Sequence, residues 1–168
     1  MMERTITTAP AEPEKTRFEV FNARDGVLRM KEFFKLTPPL LKYGKAEAVL
    51  VRSRDTQTYE TRVALNVKFQ GAERERSVYL DEDEIASLAG ALAYMQDNHA
   101  ALIDMTKTYT ELTYTSRGGF TAGFYVTEEK TTEGYMVIEG ETAFLHSLGE
   151  LCRMVDEGLF KNEIIRGG

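Results

Sequence analysis

The strongest regularity in the chain is an alternation between Tyr59 and Phe69. Tyr59, Thr61, Val63, Leu65, Val67 and Phe69 alternate with Glu60, Arg62, Ala64, Asn66 and Lys68. A period of two places the sets on opposite sides of a strand, which predicts a sheet with one buried face. Gln70-Gly71-Ala72 turns the chain, and Arg76 to Leu80 reads as the next strand. The period then changes. Ile85, Leu88, Ala89, Leu92, Met95, His99 and Leu102 recur at helical spacing, the stripe of a helix lying on a sheet. Asp81 followed by Glu84 predicts a capping box at its start, with Leu80 placed to staple against Ile85. The helix is expected to end between Asn98 and Thr106.

The same order returns in the second half. Tyr109 to Ser116 is a strand, Arg117-Gly118-Gly119 a tight turn, and Phe120 to Thr127 a strand with Phe120, Ala122, Phe124 and Val126 on one face. Tyr135 to Glu139 and Thr142 to Leu145 follow as strands. A second helix opens with Ser147 and Glu150 as its capping box and carries Leu151, Met154, Val155 and Leu159. Upstream of the alternating strand, Phe18 to Phe21 is short and β-like, and Val27 to Phe34 suits strand or helix. Thr37-Pro38-Pro39 breaks any regular element, because proline donates nothing to a ladder. Ala48 to Arg54 returns to strand character. Residues 1–16, with Pro10 and Pro13, read as a disordered lead-in.

These elements predict an α+β fold of two strands-then-helix repeats, over about 17–106 and 107–168, each with three or four strands before its helix. Antiparallel sheets would pack with two main helices. One sheet face under one helix is too little core for either repeat alone, so 17–168 is expected to form a single domain.

Composition narrows the class without naming it. At 168 residues and 42% hydrophobic, the chain can build a core without a disulfide or metal staple. Its single cysteine, Cys152, excludes a disulfide scaffold and a cysteine-based zinc site. No apolar run approaches the ~18 residues of a membrane helix, and the start lacks the apolar core of a secretory signal, so a cytoplasmic protein with no membrane partner is expected. The net charge of −6 is unevenly spread. Residues 17–80 hold 13 Lys and Arg against 8 Asp and Glu; residues 81–108 hold 1 against 6, and residues 109–168 hold 5 against 10. A local basic surface can attract a polyanion within a Debye length of ~8 Å. The two signs can equally neutralise each other within the chain or between copies.

The run Asp81-Glu82-Asp83-Glu84 lacks the spacing and glycine of a calcium loop and is read as helix capping. His99 and His146 have no histidine or cysteine at i+3 or i+4, and Ser147 beside His146 is adjacency rather than a nucleophile–base geometry. There is no phosphate loop and no G-x-G-x-x-G. The expectation is a protein that is not an enzyme and has no cofactor or metal.

The basic first half offers a binding chemistry. Arg62, Asn66 and Lys68 share one strand face, and Arg52 and Arg54 share a face of its neighbour. Such a cluster suits phosphates, because each one neutralised releases a condensed counterion. Phe33, Phe34 and Tyr43 lie among Lys31, Lys35, Lys42 and Lys45, the mixture of stacking and charge that holds single strands. Arg117 stands at a hairpin tip where glycines allow close approach, or where they serve only the turn. The structural alternative is a solvated face with Glu47 and Glu60 as ion-pair partners.

The order of Tyr59–Phe69 and Arg76–Leu80 feeding Asp81–Met95, then Tyr109–Leu145 feeding Ser147–Leu159, resembles the Whirly and Pur-alpha group of single-stranded nucleic-acid-binding proteins. The resemblance implies a curved sheet surface that reads strands with little sequence preference, often in an oligomer. The expected function is therefore non-enzymatic binding of single-stranded DNA or RNA, in a chain that could form a homo-oligomer. The alternative is a protein-interaction or assembly module.

Overall fold

A computed structural model describes residues 14–167, which form eight strands and four helices. The disordered lead-in expected over 1–16 lies, for residues 1–13, outside the described residues. By Thr16 the chain has joined the fold: Thr16 is buried and caps α1 (Arg17–Asn22). The β-like reading of Phe18–Phe21 is thus overturned. Thr16 and Glu19 form a capping box, and Phe18 and Phe21, three apart, fall on one helical face that is buried.

The first sheet is an antiparallel meander of β1 (Arg29–Leu36), β2 (Ala46–Asp55), β3 (Thr61–Gln70) and β4 (Glu75–Asp81). It feeds α2 (Glu82–Asp97) and the short α3 (His99–Met105). The second sheet repeats the meander with β5 (Thr110–Thr115), β6 (Thr121–Val126), β7 (Thr132–Ile138) and β8 (Glu141–Phe144), and feeds α4 (Gly149–Gly167). The α+β class and the strands-then-helix order appear as expected, and the segment that suited strand or helix is β1. Tyr59, expected to begin a strand, sits instead in the β2–β3 turn with φ of 64°.

Val63, Leu65, Val67 and Phe69 on β3 are all buried, as the alternation requires. They join Ile85, Leu88, Leu92 and Met95 of α2, Phe120 just before β6, Phe124, Met136 and Ile138 of the second sheet, and Leu151, Met154 and Val155 of α4 in one apolar cluster. Burial on that scale is the main stabilising contribution, at about 1.5–3 kcal/mol for each large side chain. α2 lies over β3 and β4, α4 lies over β1 and β2, and the two helices pack on each other. Both main helices therefore cover the inner face of the first sheet. No helix among the described residues is long and apolar enough to cross a membrane.

The α2 capping box forms, with Glu84 accepting from the Asp81 N–H at 3.1 Å. The one expected at Ser147 does not. The Glu150 carboxylate accepts instead from the Leu40 N–H and from Arg153, both at 2.8 Å, and ties the Pro38–Pro39 segment to α4. The halves also meet at the Arg117 turn. A Cβ on Gly118 would lie 2.8 Å from the Tyr79 carbonyl, so only glycine allows the β5–β6 turn to approach β4 this closely.

Candidate nucleic-acid interface

Strand register decides which cations stand together. Residues directly opposite in an antiparallel pair share a face. In the β2–β3 ladder Arg52 faces Val63 and Arg54 faces Thr61, whereas Ser53 faces Arg62, Val49 faces Asn66 and Glu47 faces Lys68. Arg52 and Arg54 therefore project from the inner face, opposite to Arg62, Asn66 and Lys68. The single platform of these five residues expected from sequence is not present.

The inner-face arginines serve the fold. Arg52 Nε and Nη2 donate to Glu32 at 2.9 and 2.6 Å, and Nη1 donates to the Ile165 carbonyl at the end of α4 at 2.8 Å. A cation at a helix C-terminus satisfies an orphan carbonyl and complements the helix dipole. Phe34 lies on the same face, half-buried, with the Arg52 guanidinium 5.9 Å from its ring centroid. Arg54 donates to Thr61 Oγ1 at 3.2 Å.

The outer face is half covered. α1 sets Phe18 on Val51 and Ala64, with its ring 5.0 Å from that of Tyr79. Asn66 is buried nearby, its amide donating to Ser77 Oγ at 2.9 Å and to the Val78 carbonyl at 3.0 Å, so it is not presented to a ligand. The other half of the face is open. Lys31, Phe33 and Lys35 stand there on β1, opposite Ser53, Val51 and Val49. Alternate residues of a strand span about 13 Å from Lys31 to Lys35, and Lys68, half-buried on β3, lies two strands across and two residues further along, about 12 Å from Lys35. Phe33 is 65% exposed, and none of the three lysines makes an ion pair among the described residues. Tyr43 is 83% exposed in the β1–β2 connection.

Arg117 is held from several sides. Its Nη2 lies 2.7 Å from Asp83 and 3.1 Å from Asp81, and its backbone N–H donates to Glu84 at 2.6 Å. The hydrogen bond to Asp83 raises the Arg117 pKa, and the same bond holds the Asp83 carboxyl below its ordinary value. Asp81 also accepts from the Arg17 and Phe18 N–H groups at 2.8 and 3.0 Å. The acidic run at the start of α2 thus joins α1, the first sheet and the Arg117 turn.

That junction borders a cleft that sequence reasoning missed. It has a volume of about 230 Å³ and is lined by Lys15, Arg17, Val20, Phe21, Arg24, Arg62 and Arg117. Arg62 and Arg117 were candidate residues, but Lys15, Arg17 and Arg24 became part of the group only through the docking of α1. The Thr16 and Glu19 capping pair was the signal that could have placed that helix. A larger cleft of about 620 Å³ gathers both histidines, His99 and His146, with Lys42, Gln96, Glu133 and Ser147. Lys42 pairs with Glu133 at 2.5 Å there, and the His99 ring packs 4.7 Å from that of Phe124. No hydrogen bond links Ser147 to either histidine among the described residues.

The chain matches no protein-family model, and neither the curated proteins nor the solved structures provide a match.

Proposed function

We propose that the chain is a non-enzymatic protein that binds single-stranded DNA or RNA on the open half of the first sheet. The observation that carries this reading is Phe33, exposed between Lys31 and Lys35 on the same strand face, with Lys68 nearby and none of the three ammonium groups paired among the described residues. A base can stack on such a ring for about 1–3 kcal/mol while neighbouring phosphates take the lysines. Stacking of this kind tolerates any base, so binding would show little sequence preference. The strands-then-helix order that resembles the Whirly and Pur-alpha group supports the same reading.

The test is fluorescence anisotropy of a labelled single-stranded oligonucleotide. Phe33→Ala is expected to weaken binding by about 5- to 150-fold, the equivalent of one stacked base. No association of the unmodified chain at about 50 mM salt, where phosphate contacts are strong, would contradict the proposal.

A second reading, self-assembly, is favoured by Phe160 and Ile164. They are exposed four residues apart on α4 and share a helical face. Light scattering across a concentration series separates the two readings: assembly requires a mass that rises with concentration, and strand binding does not.

A further inference from the structure

We propose that the cleft between α1 and the Arg117 turn binds a phosphoryl group bearing two negative charges, held by Lys15, Arg17, Arg24, Arg62 and Arg117. The site goes beyond the open sheet face and stands apart from it. Asn66 and Lys68 follow Arg62 along the outer face of β3, and α1 lies on Ala64 between them.

Three observations lead to this ligand. First, the charges are gathered rather than dispersed. Five cationic side chains line about 230 Å³, and no carboxylate is among the described lining residues. Second, they are incompletely neutralised. Arg24 and Arg62 share the single carboxylate of Glu60, each at 2.8 Å, while the side chains of Lys15 and Arg17 make no ion pair among the described residues. Asp81, Asp83 and Glu84 lie within 4 Å of Arg117, so the unbalanced positive charge sits at Lys15 and Arg17 and attracts an anion, and a phosphoryl group has oxygens enough to meet several cations at once. Third, the guanidinium groups are positioned in advance. Asp81 and Asp83 hold Arg117, and Glu60 holds Arg24 and Arg62. The Phe21 ring backs the group, with Arg24 5.1 Å and Arg62 5.6 Å from its centroid. Fixed guanidinium forks match the oxygens of a phosphate better than mobile ammonium groups do.

The backbone takes no part. The Arg17 and Phe18 N–H groups are already bonded to Asp81, so recognition falls to side chains drawn from three separate stretches of the chain. Phe21 and Val20 add an apolar wall suited to the carbon that carries the phosphate. A terminal phosphate of a nucleic-acid strand and a free phosphate or mononucleotide both carry this chemistry.

The experiment uses the full chain and two kinds of probe. Inorganic phosphate and adenosine monophosphate are titrated by calorimetry, and an oligonucleotide is compared with and without a 5′-phosphate. A gain of about tenfold for the phosphorylated strand assigns the site to strand ends. Saturable binding of phosphate or the mononucleotide, with the two strands bound equally, assigns it to the free ligand. In either case Arg17→Ala, a change at an exposed side chain, and Arg62→Ala must each reduce the effect about tenfold. Equal strand binding with no saturable phosphate binding overturns the proposal, and so do variants that bind like the unmodified chain. Neither result would touch the reading of the open sheet face, which requires no terminal phosphate.

Discussion

Arg52 and Arg62 stand on opposite faces of one sheet, although they lie on neighbouring strands: Arg52 faces Val63 across the ladder and Arg62 faces Ser53. That parity separates an arginine that locks α4 to β2 from one that lines an exposed cleft. Arg52→Ala should therefore act on stability. It leaves the Ile165 carbonyl and Glu32 without their partner, and a loss of about 1–3 kcal/mol is expected in urea unfolding. Oligonucleotide affinity should remain as it was. A variant of normal stability that no longer binds strands would reverse this assignment.

Acid should loosen the junctions that carboxylates hold. Arg117 keeps the Asp83 carboxyl below its ordinary 3.8, and Arg153, with the Leu40 N–H, keeps Glu150 below 4.5. The unfolded chain takes up these protons at higher pH than the folded one does. The stability contributed by the two groups is thus complete above about pH 5 and is lost as pH falls through the depressed folded values. Unfolding midpoints measured across that range should drop below pH 4.5. Arg117→Ala should start less stable at neutral pH and lose less on acidification. Parallel curves for the two chains would show that Asp83 contributes nothing.

Tyr135 offers a test of the second sheet. It is fully buried, its hydroxyl has no hydrogen-bond partner among the described residues, and burial pushes the phenol pKa up. A polar group buried without a partner costs free energy, so Tyr135→Phe should leave stability unchanged or raise it by up to about 1 kcal/mol. Thermal unfolding is the measurement, and a clear loss of stability would reveal a bond to that hydroxyl.

Where the sequence was legible, one physical signal dominated. β3 puts Val63, Leu65, Val67 and Phe69 on one side and polar groups on most of the other, and the structure buries the first set. α2 begins where Asp81 and Glu84 mark it. β2 was different. Leu50 lies on one face and Val49 and Val51 on the other, so its pattern did not say which side was core, and the parity of Arg52 and Arg54 followed from that ambiguity. α1 reads as a strand in the sequence because Phe18, Val20 and Phe21 form a short apolar run, and six residues are too few for a period to emerge. With that helix the covering of half the outer face and the cleft of cations were lost. Of the candidate groups read from sequence, Phe33 is exposed on the outer face and Lys68 is half-buried on the same face, with Lys31 and Lys35 exposed beside Phe33.

The most direct measurement is the salt dependence of binding to a single-stranded oligonucleotide, for the unmodified chain and for Lys31→Ala, Lys35→Ala and Lys68→Ala combined. For single strands the logarithm of the binding constant falls with the logarithm of salt by about 0.7 for each phosphate contact, so removing three contacts should reduce the slope by about 2. All three side chains lack partners among the described residues, and unfolding stability should stay within about 0.5 kcal/mol. A slope unchanged by the triple substitution, in a chain that still folds, would contradict strand binding on the open half of the first sheet.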